Sequence, residues 1–364
     1  MRILLISRKL VMGGVERSLV EFIDLLVKDG HHIDLFILQK GGELFDKLNK
    51  NINIIYNEQN DKYSNKVLNF LLKVKNKVLR TLHINKNLKH EKILLEKQYD
   101  LGIAYQGTDY DLMEILLRCV KAKQKLALLH GDPSFIKKDI LKNMFKADKI
   151  LCISKSLKQK LVEKFSWLKN KTYCMYNPQS IDRICEESKG YDVDFGSGVN
   201  FVTIARLSKE KAHLRSLKIF KELHDEGYIF KWHIIGDGPF KNKIKKYIKR
   251  KKMEDYVFMY GNKTNPYPYI KSANITYLGS YHESFGMVLV ESLSLGVPVI
   301  TTNTVSANEI VKDFGFVCNN DEASIKECLI DVLDNEDKLN SIKLKLNNYR
   351  YEDKTIRQFY EIIQ

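Results

Sequence analysis

The sequence predicts an α/β protein with two domains, each built around a parallel β-sheet. Apolar strand-like runs alternate with amphipathic helical runs from the first residues onward, which is the pattern of a parallel sheet. The alternation restarts at Asn200–Ile204, after the Gly- and Ser-containing segment Gly190–Gly198. The length of 364 residues suits two domains at about 150 residues each. We therefore expect domains over 1–190 and 191–345, and a C-terminal helix over 346–364 that packs back on the first domain.

The first half of the chain begins with a strand, a helix and a second strand joined by short loops. The apolar run Arg2–Ser7 predicts a buried strand, and the helix that follows, from about Val15 to Lys28, carries an apolar face. Asp29 and Gly30 are a typical signal for the end of that helix. Further strands are predicted at Ile33–Leu38, Leu101–Tyr105, Leu126–Leu129 and Lys149–Ile153.

The second half repeats this alternation. The strand Asn200–Ile204 is followed by a helix over 212–226. Further strands are predicted near 231–235, 256–259, 274–278 and 298–302, with helices near 240–251 and 286–295. Ligands of open α/β sheets bind beyond the carboxyl ends of the strands. With two such domains, we expect the ligand site in the cleft between them.

Basic residues are concentrated in the first half of the chain. The chain has 60 Lys and Arg against 45 Asp and Glu, a net charge of +15, and residues 1–190 contribute +13 of it. Within 62–97 there are ten basic and two acidic residues, and apolar residues recur at spacings of three and four. This pattern is typical of a basic amphipathic helix on an anionic membrane surface. The candidate contacts to a membrane or acceptor are Lys73, Lys75, Lys77 and Arg80.

Two alternatives remain open for this basic segment: a solvated helix and a nucleic-acid contact. No recognised nucleic-acid-binding motif accompanies the charge, so no nucleic-acid partner is predicted. No apolar run reaches the ~18–20 residues of a membrane span, and the N-terminal apolar stretch is too short for a signal peptide. The six cysteines contain no C-x-x-C pair and are interpreted as buried thiols. We expect a cytoplasmic protein, peripheral on the inner face of the cell membrane.

Two cations follow the first strand of the second half. Arg206 lies just past that strand, and Lys211 lies five residues further on, where a helix begins. Two cations at a strand end can clamp a diphosphate and stabilise a leaving group that gains negative charge. The alternative is ordinary surface charge.

The most informative motif is a pair of glutamates, Glu283 in a predicted loop and Glu291 inside the following helix. The free N–H groups at the start of that helix form an anion site. Glu291 could accept two ribose hydroxyls, and Glu283 could reach sugar hydroxyls. A solvent-facing pair is the alternative. The residues after Glu283 that would line the anion site are Ser284, Phe285, Gly286, Met287 and Val288.

Two weaker signals lie in the first half. Gly13 and Gly14 follow the first strand and open a helix, so their backbone can approach an anion, although a plain tight turn is equally compatible. His130 lies at the carboxyl end of a predicted strand. A lone histidine at such a place is often structural, so this residue alone does not define a site.

The joint order of these motifs resembles that of retaining glycosyltransferases of family 4, which have the GT-B fold of two facing Rossmann-like domains. The resemblance covers nearly the whole chain and is strongest from Phe201 to Ile310. The sequence differs from the pattern of that family at Ala212, where the family commonly has a glycine. Other runs that carry it are Ile153–Ser156, Tyr176–Pro178, Gly236–Pro239, Val257–Gly261, Asn265–Tyr267, Gly296–Ile300 and Glu309–Val311.

The resemblance implies that the C-terminal domain holds a nucleoside diphosphate sugar, with a UDP-linked sugar the leading expectation. Arg206 and Lys211 would bind the diphosphate, and Glu291 would bind the ribose. Glu283 and the backbone amides that follow it would hold the donor sugar and the phosphates. In the N-terminal half, the same resemblance implies that Gly14 contacts the phosphates and that His130 contacts the donor sugar.

The function implied is transfer, with retention, of a hexosyl or N-acetylhexosaminyl group to a hydroxyl of a glycan or polyprenyl-linked acceptor. The setting would be surface-polysaccharide biosynthesis, such as that of capsule or lipopolysaccharide. Such enzymes usually need no metal or cofactor, and the D-x-D runs at 109–111 and 192–194 are interpreted as coincidental. The alternatives are a sugar-nucleotide epimerase of the same shape and a non-enzymatic basic protein that binds membranes or polyanions.

Overall fold

The structure is a computed structural model that describes residues 1–11, 13–56, 96–136, 138–349, 351 and 355–364. Its contacts divide the chain into two compact units. The first contains Met1–Ile153, Leu161–Met175 and Ile356–Gln364, and the second contains Ser154–Lys160 and Tyr176–Thr355.

The first unit is built on a seven-stranded sheet. Its strands are β1 Arg2–Ser7, β2 His32–Ile37, β3 Asn53–Tyr56, β4 Gln98–Ala104, β5 Lys121–Leu129, β6 Lys149–Cys152 and β7 Thr172–Cys174. They lie in the order β3-β2-β1-β4-β5-β6-β7, and every neighbouring pair is parallel. The strand order reverses direction between β1 and β4, which is the switch point of a doubly wound sheet.

The second unit is built on a six-stranded sheet with the same winding. Its strands are β8 Val199–Ile204, β9 Phe230–Ile235, β10 Val257–Gly261, β11 Ile275–Leu278, β12 Val299–Thr302 and β13 Gly315–Cys318. They are parallel and lie in the order β10-β9-β8-β11-β12-β13, with the switch point between β8 and β11. The predicted α/β class with two parallel sheets is confirmed.

Helices connect these parallel strands, as a parallel sheet requires. In chain order they are α1 Gly14–Lys28, α2 Tyr110–Cys119, α3 Lys138–Met144, α4 Lys155–Lys164, α5 Ile181–Glu187, α6 His213–Asp225, α7 Lys241–Arg250, α8 Tyr267–Lys271, α9 Met287–Ser294, α10 Ala307–Val311, α11 Glu322–Asp334, α12 Glu336–Leu346 and α13 Thr355–Ile363. Within the described part of the chain, no helix is both long and apolar enough to cross a bilayer.

Each unit has its own apolar core. In the first, Phe22 on α1 packs edge-on against Phe359 on α13 at 5.1 Å, and Phe359 and Ile362 are buried in the same cluster as β1 and β2. In the second, Trp232 on β9 is fully buried and stacks on Phe220 of α6 at 4.4 Å. These contacts fix the helices that carry the loops at the carboxyl ends of the strands.

Residues 176–190 were placed in the first domain from the sequence, but their contacts lie in the second unit. The reason is the burial of Ile184 on α5. This side chain packs with Tyr267 and Ile270 of α8 and with Leu295 and Val297 beyond α9. The Gly- and Ser-containing segment 190–198 therefore follows a helix that already belongs to the second unit.

Candidate active site

The loops after β8 and β11 are neighbours because these strands pair at the switch point of the second sheet. The loop after β8 carries Arg206 and Lys211, and the loop after β11 carries Glu283. A backbone hydrogen bond joins them: Tyr281 N–H donates to the Glu210 carbonyl at 2.8 Å. Two motifs about 70 residues apart in sequence are thereby held at one edge of the sheet, where ligands of such sheets bind.

Lys211 and Glu283 form an ion pair between these two loops. Their side chains are 20% and 19% exposed, so the pair is largely shielded from solvent. Arg206 is exposed and, among the described residues, forms no ion pair. The structure thus presents one cation ready for an anionic ligand and a second cation held by a carboxylate.

The loop that carries Arg206 is fixed by close backbone packing. Leu207 N–H donates to the Asp237 carbonyl at 3.0 Å. Gly236 has φ 147°, and a Cβ there would come within 2.0 Å of the Ala205 carbonyl oxygen. Only glycine allows this approach. The run Gly236–Pro239 therefore acts on the site by positioning the loop after β8.

A buried arginine fixes the loop that carries Glu283. Arg215 on α6 is only 6% exposed. Its two terminal nitrogens donate to the carbonyls of Gly279, at 2.8 Å, and Asn320, at 3.1 Å. Its guanidinium also lies 4.1 Å from the centre of the Tyr281 ring. Sequence analysis missed this residue, because a basic side chain early in a helix gives no sign of its distant carbonyl partners.

The helix α9 begins where the second motif predicts an anion site. Gly286 precedes it with φ 82° and ψ 62°, a left-handed conformation that favours glycine. The first N–H groups of a helix have no partner within it, and in α9 these are the N–H groups of Met287 and Val288. Phe285 is buried, and Ser284 and Val288 are half-buried. Glu291 lies on α9 and is fully buried.

Glu309 on α10, to which the sequence assigned no role beyond the resemblance, orders the segments beside this loop. It accepts hydrogen bonds from the backbone N–H groups of Lys155 and Ser156, both at 3.1 Å, from the Ser156 hydroxyl at 2.9 Å and from the Tyr176 hydroxyl. Burial opposes its ionisation, but these hydrogen bonds outweigh burial and hold the pKa of Glu309 below its usual range. The Tyr176 ring lies 6.2 Å from that of Phe285.

In the first unit, the carboxylate of Glu16, a residue of α1, lies at the start of that helix. A Cβ on Gly13 would come within 2.5 Å of a Glu16 carboxylate oxygen, so the carboxylate folds back close to the backbone of Gly13. Glu16 also accepts from the Gln106 amide at 3.0 Å. Burial raises the pKa of Glu16, although its hydrogen bonds oppose that change. Gly14 is the first residue of α1.

His130 follows β5 directly, as predicted. Its ring lies 5.2 Å from the Tyr105 ring, whose hydroxyl is 2.6 Å from the Ser18 hydroxyl. Burial lowers the pKa of His130 to about 4. Among the described residues, neither ring nitrogen has a hydrogen-bond partner. This histidine is therefore neutral at physiological pH, and it can donate or accept a hydrogen bond but carries no charge there.

The D-x-D run at 109–111 is occupied by an internal arginine. The Arg8 guanidinium bonds Asp109 at 2.7 Å and Asp111 at 2.8 Å. Asp109 also caps α2 by accepting from two backbone N–H groups. Across the described residues, no cluster of three or more His, Cys, Asp or Glu side chains could hold a metal ion. The predicted membrane contacts Lys73, Lys75, Lys77 and Arg80 lie outside the described residues.

The fold belongs to the GT-B class of glycosyltransferases. The structure of S. aureus TarM, solved with UDP among its ligands, matches with a TM-score of 0.75 over 100% of this chain and 99% of that chain. The sequence identity is 12%, so this likeness concerns the fold alone. The GT-B fold class predicted from the sequence is confirmed.

A match to a known family lies in the second unit. Residues 197–348 match the family model described as glycosyl transferases group 1. The resemblance found in the sequence is thus confirmed.

Two curated relatives match part of the chain. An uncharacterized glycosyltransferase of Methanocaldococcus jannaschii is 30% identical over 168 residues, which cover 44% of this chain and 41% of that protein. The N-acetylgalactosamine-N,N'-diacetylbacillosaminyl-diphospho-undecaprenol 4-alpha-N-acetylgalactosaminyltransferase of Campylobacter jejuni is 30% identical over 173 residues, 47% of this chain and 46% of that enzyme. The matches therefore span less than half the length of these two relatives.

Proposed function

We propose that the protein is a retaining glycosyltransferase that moves a hexosyl or N-acetylhexosaminyl group from a nucleoside diphosphate sugar, UDP-linked, to a hydroxyl of a glycan or lipid-linked acceptor. The observation that carries the proposal is the meeting of the two motif loops, at which Lys211 and Glu283 pair beside the start of α9. Cations and backbone N–H groups that converge on one strand edge suit a diphosphate.

In this proposal, binding of the donor breaks the ion pair between Lys211 and Glu283. Arg206 is exposed and binds the diphosphate directly, and Lys211 leaves Glu283 for a phosphate oxygen. Glu283 is then free to accept hydrogen bonds from the donor sugar. Glu291, which is fully buried on α9, holds the ribose. In the first unit, Gly13 and Gly14 lie near the phosphates and His130 near the sugar.

The chemical step needs no protein nucleophile. The acceptor oxygen attacks the anomeric carbon on the face from which the nucleoside diphosphate leaves. The bond between that carbon and the phosphate oxygen breaks, the oxygen keeps the electron pair, and the acceptor proton passes to the leaving phosphate. The protein positions the reactants, and Arg206 and Lys211 stabilise the growing negative charge. No metal or cofactor is assigned a role.

The acceptor proposal draws on the named relatives. The Campylobacter enzyme acts on a diphospho-undecaprenol-linked sugar by its name, which supports a polyprenyl-linked acceptor and a surface-polysaccharide setting here. The net charge of +13 on residues 1–190 supports peripheral contact with an anionic membrane. Liposome flotation tests this contact, since replacement of Lys73, Lys75, Lys77 and Arg80 by Gln should reduce binding to anionic vesicles.

The donor is tested by thermal shift with UDP, GDP and ADP, because a ligand that binds the folded state raises the melting temperature. We expect UDP to give the largest shift. NMR of the product then reports the anomeric configuration, and activity after treatment with EDTA tests independence of metal. Conversion of the nucleotide sugar without any acceptor would instead identify an epimerase, and binding of polyanions without protection by any nucleotide would identify a non-enzymatic protein.

A further inference from the structure

The first unit exposes two large aromatic side chains within a lysine-rich segment. Phe135 is 69% exposed and Trp167 is 63% exposed. The first-unit segments 131–153 and 161–175, which contain them, have eight lysines and four acidic residues. An exposed indole is unusual for a residue type that normally buries most of its surface. This combination of aromatic rings and positive charge, which we call the aromatic–lysine patch, needs a partner that accepts both.

The indole of Trp167 is supported by two half-buried rings. It packs edge-on against Phe145 at 5.2 Å, and Phe145 packs against Phe165 at 5.0 Å. Lys171 fixes the backbone beneath these rings by donating to the carbonyls of Phe145 and Ala147. The exposed ring is therefore presented by tertiary packing, which reduces the entropy lost when it binds a partner.

Lys164 connects the two exposed aromatic residues. Its ammonium group donates to the Pro133 carbonyl at 3.0 Å, in the turn that carries Phe135. The same group lies 5.7 Å from the Phe165 ring, two residues before Trp167. Among the described side chains of these two first-unit segments, the exposed lysines are Lys142, Lys146, Lys164 and Lys169.

We propose that the aromatic–lysine patch docks on the interface of an anionic lipid bilayer. An indole suits the headgroup region, because its body is apolar and its N–H remains near water. Exposed lysines around it attract anionic headgroups. This deepens the peripheral attachment proposed above and rests on it, but it assigns the contact to Trp167 and Phe135, which lie outside the sequence segment 62–97.

The two tryptophans of the chain make the contact directly observable. Trp232 is fully buried in the second unit, whereas Trp167 is exposed in the first. A change of emission on addition of vesicles therefore reports Trp167. With vesicles of phosphatidylcholine and phosphatidylglycerol at low salt, we expect a blue shift and quenching by brominated acyl chains. Both effects should vanish at high salt and with phosphatidylcholine alone.

Variants test the patch in flotation. Trp167→Ser should weaken binding to the anionic vesicles by about tenfold or more. The double variant Lys164→Gln, Lys169→Gln should also bind more weakly, and its binding should depend less on salt concentration. Ile229→Ser is the matched control, because Ile229 is an apolar residue of the second unit that is 86% exposed. This control should bind like the wild type.

The outcomes separate this proposal from the others. If Trp167 emission is unchanged by vesicles that nevertheless float the protein, the patch is not the contact surface and the proposal is overturned. If Ile229→Ser weakens binding as much as Trp167→Ser, the effect is not specific and the proposal also fails. A normal thermal shift with UDP in Trp167→Ser would show that the donor site is intact. Failure of the membrane proposal can therefore be distinguished from failure of the proposed glycosyltransferase function.

Discussion

Glu309→Gln is the substitution whose effect the structure defines most fully. The carboxylate accepts two hydrogen bonds on each oxygen: Lys155 N–H and the Tyr176 hydroxyl on one, and Ser156 N–H and its hydroxyl on the other. A glutamine amide has only one acceptor oxygen, so two donors then face an NH₂ group. At about 1 kcal/mol per lost bond, plus up to about 1 kcal/mol for a negative charge at the start of α4, the loss is about 2–3 kcal/mol.

The melting temperature of the second unit measures this loss. For a unit of this size, 1 kcal/mol corresponds to about 2–4 °C, so Glu309→Gln should lower the midpoint by about 4–12 °C at pH 7. A Trp167→Phe background leaves buried Trp232 as the only indole, so its fluorescence reports this unit alone. Glu254→Gln, at an exposed position, is the control and should change nothing.

The effect of pH on the stability difference between wild type and Glu309→Gln tests the same reasoning. The folded-state pKa of Glu309 is lowered, so its contribution is complete above the unfolded value of about 4.3 and is lost as the pH falls through the folded value. The difference between wild type and Glu309→Gln should be constant from pH 6 to 8 and shrink below about pH 4.3. Protonation of buried histidines acts on both proteins and cancels. Equal midpoints at pH 7, or a difference that persists unchanged in acid, would refute this account.

The remaining predictions concern the proposed donor site. Arg206→Ala and Lys211→Ala should each lower turnover by about 100-fold or more, equivalent to about 2.7 kcal/mol; near-normal rates in both would place the donor elsewhere. In calorimetry with UDP, Glu291→Ala should weaken binding, whereas Glu283→Ala should mainly lower turnover; equal losses of UDP affinity would contradict this division. Since the pKa of His130 is about 4, His130→Asn should lower activity without removing an ionisation between pH 5.5 and 8.

The loops of the candidate donor site could be placed from the sequence because they follow strands. An apolar run predicts a strand, and the loop after it lies at the ligand-binding edge of a parallel sheet. This reasoning identified the loops of Arg206 and Glu283 correctly as strand-following loops. It could not predict that Lys211 pairs with Glu283, because that contact depends on β8 lying beside β11. The spacing of apolar residues predicts strands but not their order in the sheet.

The residues whose roles sequence reasoning missed have partners far away in the chain. Arg215 bonds the carbonyls of Gly279 and Asn320, 64 and 105 residues away, and Glu309 bonds Tyr176, 133 residues away. Carbonyl acceptors leave no trace in a side-chain pattern. The division between the units was misplaced for the same reason, since the packing of Ile184 against Tyr267 is a contact between distant segments.

Ala212 shows how the site keeps its shape where the sequence departs from the resemblance. It has φ 53° and ψ 26°, between the turn that carries Lys211 and the start of α6. An alanine in this left-handed region is less stable than glycine by about 1 kcal/mol. Because the Tyr281–Glu210 backbone bond and the Lys211–Glu283 pair hold the loop from outside, the geometry of the cations is set by tertiary contacts and tolerates the alanine.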